Sequence, residues 1–145
     1  MIRVFIADDH AGIREGIRRI LDDVTDMCVV GEASDVQELL IRMTEQVCDV
    51  VLLDSTLPGQ NGIDLLPCFK RTYPSLFVLV CSTYVGPHYV QEAFEAGATG
   101  YLTKDRLPEE LVEAIRQVAQ GQRYVSPASA TYLNDQDTLE NGTTV

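Results

Sequence analysis

Four short apolar runs in this sequence each end in polar side chains, and that recurrence constrains the fold more than any other feature. Val4-Phe5-Ile6-Ala7 runs into Asp8 and Asp9, Val50-Val51-Leu52-Leu53 into Asp54, Phe77-Val78-Leu79-Val80-Cys81 into Ser82, and Gly100-Tyr101-Leu102-Thr103 into Lys104. A continuous apolar run bounded by turn residues reads as a buried strand. After Asp54 the chain breaks into a loop holding Pro58, Gly59 and Gly62. Parallel strands in one sheet bring their carboxyl ends to one edge, where open α/β sheets keep their ligand sites. The pattern therefore predicts that Asp8, Asp9, Asp54, Ser82 and Lys104 converge.

The stretches between the runs are amphipathic. After a strand at about 2–7, Ile13, Ile17, Ile20 and Leu21 form a stripe at helical spacing. A strand at about 27–31 precedes a helix opening at Ser34, with Gln37 completing a capping box. Val36, Leu39, Leu40, Met43 and Val47 form the expected inner face of that helix. A strand at about 49–53 leads to a helix from near Gly62 to Tyr73, in which Pro67 predicts a kink or a late start. A strand at about 76–81 and the loop Thr83-Tyr84-Val85-Gly86-Pro87 precede a helix with Val90, Ala93 and Phe94 inward and a stop at Gly97. A last strand at about 99–103 precedes a helix starting around Pro108, after Leu107 as a poor N-cap. Glu109 and Glu110 in its first turn suit the helix dipole, Leu111, Ile115 and Val118 face the core, and Gly121 ends it. Strand–helix repeated about five times predicts an α/β fold, with a doubly wound five-stranded parallel sheet and right-handed crossovers.

The 145 residues suit one domain, expected over 1–121. Residues 122–145 turn rich in Ser, Thr, Asn, Asp and Gln and read as a linker, with Ser126-Pro127 placed to cap a short helix over 128–133. A linker of this kind suggests that the natural protein continues toward a further domain. The net charge of −11, with only 11 scattered basic residues, argues against gripping nucleic acid without another domain. No apolar run approaches the roughly 20 residues of a membrane helix. Met1-Ile2-Arg3-Val4 enters a strand directly and leaves no room for a secretory signal. Both absences point to the cytoplasm. Cys28, Cys48, Cys68 and Cys81 lack C-x-x-C spacing, which argues against zinc, and three of them fall in or beside strand-like runs, where Cys behaves as a small buried hydrophobe. Cys81, next to the predicted site, is the one candidate for oxidation.

The converging groups suggest a chemistry. Asp8 and Asp9, joined by Asp54, make a hard oxygen site that suits Mg²⁺. Asp54 is a candidate nucleophile, since a carboxylate can attack phosphorus and form an acyl phosphate. Ser82 can donate to a phosphoryl oxygen and Lys104 can pair with it.

These motifs as a set, the Asp8-Asp9 pair, Asp54 with Leu57-Pro58 and Gly62, Ser82, and Gly100-Tyr101-Leu102-Thr103-Lys104, resemble the receiver domain of two-component response regulators. Gly100 to Asp105 and the tail resemble the NarL/FixJ (LuxR-type) branch. The resemblance covers about 1–121 and implies a flavodoxin-like strand order of 2-1-3-4-5. It also implies roles. Asp54 is the phosphoacceptor; Asp9 binds Mg²⁺ directly and Asp8 through water, with the Thr56 backbone carbonyl as a further ligand. Ser82 is the switch hydroxyl, Lys104 contacts the phosphoryl group, and Tyr101 turns inward as Ser82 moves. The donor is a phosphohistidine on a sensor histidine kinase. Phosphorylation favours a homodimer, through helix one or helices four and five, and DNA is reached only through an absent C-terminal domain. Arg14, Arg18 and Arg19 read equally as a partner face or a solvated face.

Thr56 and Thr83 flank the site and are expected to tune dephosphorylation, while Leu57, Pro67 and Gly86-Pro87 depart from the usual pattern. Two alternatives stay open. One is a stand-alone receiver acting in phosphorelay or partner binding. The other is an aspartyl-phosphate phosphatase, which wants a second acid two residues after the nucleophile, where this chain has Thr56. A dinucleotide site is disfavoured, since no Gly-x-Gly-x-x-Gly follows a strand. The expected protein is a switch rather than an enzyme acting on other substrates.

Overall fold

The structure is a computed structural model that describes residues 1–59 and 62–126. Its strands are β1 (Ile2–Ala7), β2 (Met27–Ala33), β3 (Val50–Asp54), β4 (Phe77–Ser82), β5 (Gly100–Thr103) and β6 (Tyr124–Val125). Its helices are α1 (Ala11–Asp22), α2 (Val36–Glu45), α3 (Leu66–Thr72), α4 (Pro87–Ala96) and α5 (Leu107–Ala119). Short 3₁₀ turns at Gly62–Leu65 and Lys104–Arg106 lead into α3 and α5. All strand pairs are parallel, in the order β2-β1-β3-β4-β5-β6.

Strand alternation divides the core between the two faces. Val4, Ile6, Val50, Leu52, Leu79 and Leu102 pack with Ile17 and Leu21 of α1 and Leu111, Ile115 and Val118 of α5. Phe5, Ala7, Val51, Leu53, Val80 and Tyr101 pack with Leu39 of α2, Phe69 of α3 and Val90 of α4. Burying each such large aliphatic side chain contributes about 1.5–3 kcal/mol. Central strands covered on both faces explain why the runs read as continuous rather than alternating. The expected doubly wound sheet and its inner strand order hold.

The sheet has six strands where five were expected. Gly121 takes a positive φ of +79, turns the chain back, and lets Tyr124-Val125 pair beside β5. Tyr124 N–H donates to Thr99 O (3.2 Å) and Ser126 N–H to Tyr101 O (3.0 Å). The expected boundary at residue 121 thus falls inside continuous hydrogen-bonded structure. The helix expected over 128–133 lies outside the described residues, as does most of the expected 122–145 linker.

Local expectations shift in physically legible ways. The α2 cap is Asp35, not Ser34: its side chain accepts from Glu38 N–H (2.8 Å), while Glu38 Oε1 accepts from Ser34 N–H (2.7 Å). Carboxylates suit the positive helix start better than the expected Ser34–Gln37 pair. The inward stripe narrows to Val36, Leu39 and Met43; Leu40 is 40% exposed and Val47, beyond the helix end, 65% exposed. Pro67 produces a late start: it sits in the first turn of α3, where a missing N–H breaks no helical bond. Leu107 is the first residue of α5 and is buried, and Arg106 takes the cap without a side-chain bond. No described helix is long and apolar enough to cross a membrane.

Candidate functional site

The four polar strand ends meet at one edge of the sheet. Asp8 follows β1, and its N–H donates to Ala33 O of β2 (3.0 Å). Its carboxylate is buried, with Oδ1 accepting from His10 N–H (2.8 Å) and Oδ2 facing Lys104 Nζ (2.7 Å). Asp54 closes β3 with only 2% exposure. Asp54 Oδ1 accepts from the N–H and the hydroxyl of Thr56, both at 3.0 Å. Asp54 Oδ2 faces Lys104 Nζ at 3.3 Å and has no hydrogen-bond partner among the described residues. Gly62 comes back against the backbone of Asp54 and Ser55, its N–H donating to Ser55 O (3.3 Å). A Cβ on Gly62 would lie 2.6 Å from Asp54 O, so only glycine permits the approach.

Lys104 is the cation of the cluster, and its side chain is only 7% exposed. Burial opposes its charge, but the hydrogen bond to Asp8 and the negative charges of Asp54 and Asp8 more than offset that and raise its pKa above the ordinary lysine value. Ligand atoms of Asp8, Asp9, His10 and Asp54 lie within 4.8 Å of one another. Three carboxylates at that spacing, one with an unbonded buried oxygen, fit a small hard divalent cation such as Mg²⁺.

Hydroxyls occupy the other side of the site. Ser82, fully buried at the end of β4, accepts at Oγ from the Ser55 hydroxyl and from Tyr84 N–H, each at 3.0 Å. Tyr101 has its ring buried and donates its hydroxyl to Tyr84 O (2.7 Å); burial raises its pKa above the ordinary tyrosine value. Tyr84 stacks on Tyr89 with ring centroids 4.7 Å apart. Ser55, Thr56, Tyr84, Tyr89 and Tyr101 line a small cavity of about 120 Å³ there. Thr56 and Thr83 are exposed beside the site.

Cys81 is buried under this edge, and burial pushes its thiol up to about 12, which suppresses the thiolate that oxidation needs. The expectation that Cys81 is the oxidation candidate is therefore corrected. Of the three cysteines in or beside strand-like runs, Cys81 is buried and Cys28 and Cys48 are half-buried; Cys68 is exposed on α3.

Three residues of the site were not anticipated. His10 Nδ1 lies 2.9 Å from Asp8 Oδ1 and 3.1 Å from Asp9 Oδ1. Arg14 donates to Asp8 O (2.6 Å) and to Glu32 (3.0 Å), so it belongs to the support of the site rather than to a solvated face. Ser55 holds Ser82. His10 directly follows the acidic pair, and Ser55 directly follows Asp54, so adjacency was the available signal. Arg18 and Arg19 pair with Glu32 and Glu15. A larger groove of about 830 Å³ runs along β2 beside α1 and α2, away from Asp54.

The response regulator receiver domain family matches residues 4–116 of this chain. The response regulator GacA of Pseudomonas aeruginosa is 40% identical over 133 residues, covering 92% of this chain and 62% of that protein. This chain spans about three-fifths of the length of the curated relatives it matches. A two-component response regulator of the LuxR family from Aurantimonas sp. SI85-9A1 is structurally similar, with a TM-score of 0.86 and 35% identity, covering 94% of this chain and 97% of that one. RcsB, solved as two dimers bound to two parallel DNAs, has a TM-score of 0.84 and 27% identity, covering 92% of this chain and 68% of that one.

Proposed function

The chain belongs to the response regulator receiver family, in its NarL/FixJ (LuxR-type) branch, and we propose that it is switched by phosphorylation of Asp54. The observation that carries this reading is one buried ammonium, Lys104, shared between Asp8 (2.7 Å) and Asp54 (3.3 Å). It marks a place built to hold negative charge against a cation. A phosphohistidine of a sensor histidine kinase is the donor. An Asp54 carboxylate oxygen attacks phosphorus; the O–P bond forms as the P–N bond breaks, and the imidazole leaves with the electron pair. Asp8, Asp9, Asp54 and the Thr56 carbonyl would hold Mg²⁺, which would supply charge neutralisation for the phosphoryl oxygens.

The residues of this chain do the rest. Lys104 exchanges Asp54 Oδ2 for a phosphoryl oxygen. Ser82 gives up its bonds from Ser55 and Tyr84 and turns its hydroxyl to the phosphoryl group. Tyr101, bonded to Tyr84 O, moves with that loop. Thr56 and Thr83 tune the lifetime of the acyl phosphate. The domain is a signalling switch rather than an enzyme with a separate substrate. Its readout is a homodimer, acting in the cytoplasm and controlling a LuxR-type DNA-binding domain in a longer protein. The greater length of the relatives and the DNA-bound RcsB dimers support that last step.

The test is a phosphoramidate donor with Mg²⁺, followed by borohydride reduction, which converts an aspartyl phosphate to homoserine. The expected result is homoserine at position 54 and a shift to dimer. Phosphate found on a serine or histidine instead would overturn the reading.

A further inference from the structure

The strand that sequence reasoning missed lies beside the proposed switch. Ser126, fully buried, donates its N–H to Tyr101 O (3.0 Å) and accepts at Oγ from Thr103 N–H (3.1 Å). These two bonds bracket Leu102 and end one residue before Lys104. On the other side of Lys104, Tyr124 donates its hydroxyl to Glu110 of α5 (2.5 Å), which Arg106 also holds (3.1 Å). Residues 124–126 therefore clamp the backbone of Lys104 from the strand before it and the helix after it.

We propose that Ser126 is a positioning residue for the phosphoryl site, and that docking of residues 124–126 on β5 is coupled to occupancy of Asp54. The inference rests on the proposed phosphorylation of Asp54. Without β6, β5 is a four-residue edge strand. Short edge strands fray, since few buried contacts hold their backbone. Thr103 is 3% exposed, and its Oγ1 already lacks a partner among the described residues. Without Ser126 its N–H also loses its acceptor, in a setting where an unmet donor is expensive. A frayed β5 end frees the backbone of Tyr101 and Lys104. A lysine held in place loses less freedom when it meets a phosphoryl oxygen, so docking strengthens that contact. Linkage is reciprocal: a phosphoryl group on Asp54 tightens the docking by the same factor.

The experiment titrates beryllofluoride with Mg²⁺, as a phosphoryl mimic, into the full chain and its variants. It records mimic affinity, amide exchange at Thr103 and Ser126, and unfolding midpoints without the mimic. Wild type is expected to bind and to gain protection at both amides. Ser126→Ala is expected to bind at least about fivefold more weakly, the low end of usual couplings. Ser126→Thr, which keeps the hydroxyl, restores affinity. Tyr124→Phe, a milder change that keeps the ring, shifts affinity in the same direction by less. A Ser126→Ala protein with lowered midpoint but wild-type mimic affinity overturns the inference, as does one that binds more tightly. Failure of the wild-type chain to bind the mimic overturns the Asp54 reading, and this inference with it.

Discussion

The two halves of the site are built from different chemistry. One half, at the ends of β1, β3 and β5, holds charge: Asp8, Asp54 and Lys104 sit almost out of water, with Lys104 Nζ between the two carboxylates. The other half gathers neutral hydroxyls around the end of β4 and the loop into α4: Ser82 of β4, Ser55 just after β3 and Tyr101 of β5, with Ser82 and Tyr101 both bonded to the backbone of Tyr84. Buried charges are costly to separate, whereas neutral hydrogen bonds exchange partners at small net cost. The charged half is thus suited to capturing a phosphoryl group and the hydroxyl half to rearranging in response. Ser82 and Tyr101 of the hydroxyl half are as buried as the carboxylates, but the loop that bonds them is open, with Tyr84 and Tyr89 44% and 42% exposed.

The contrast breaks first at Lys104. Lys104→Ala leaves two carboxylates buried together, at an expected cost of about 3–5 kcal/mol in metal-free urea unfolding, part of it regained with Mg²⁺. A loss under about 1 kcal/mol would mean that the pair is solvated and the halves are alike. Alkaline pH tests both halves at once. The folded-state pKa values of Lys104 and Tyr101 are raised above ordinary values of 10.5 and 10.0. Their stabilisation is therefore complete below those values and is lost as pH rises through the folded ones. Stability is expected to fall above about pH 10, and Tyr101→Phe should flatten the onset of that fall. At neutral pH, Tyr101→Phe is expected to cost about 1 kcal/mol by losing the bond to Tyr84 O. Ser55→Ala is expected to cost least, about 0.5 kcal/mol, while making the rearrangement of Ser82 easier; thermal unfolding reads both.

Much of the charged half was legible from residue order alone. Asp8, Asp54 and Lys104 end apolar runs, and parallel strands must bring such ends together. The hydroxyl half was less legible, because Ser55 and the Tyr84 backbone act through loop geometry that no periodicity encodes. β6 was hidden for a related reason. Two residues carry no alternation, and Gly121 reads as a helix stop whether the chain then leaves the sheet or rejoins it. Leu40 and Val47 were placed inward by apolar character, yet a cap one residue later and a helix end at Glu45 leave them at or beyond the stripe. Asp35 and Ser34 are both good caps, and the choice fell to the carboxylate that Glu38 could complement.

The central claim is that one half of the site captures the phosphoryl group and the other reads it. Intact mass and solution size after a small phosphodonor with Mg²⁺, taken on wild type, Asp54→Asn and Ser82→Ala, test it most directly. The account predicts one phosphoryl adduct on wild type and on Ser82→Ala and none on Asp54→Asn, with a shift to dimer in wild type alone. An adduct on Asp54→Asn, or a full shift to dimer in phosphorylated Ser82→Ala, would contradict it.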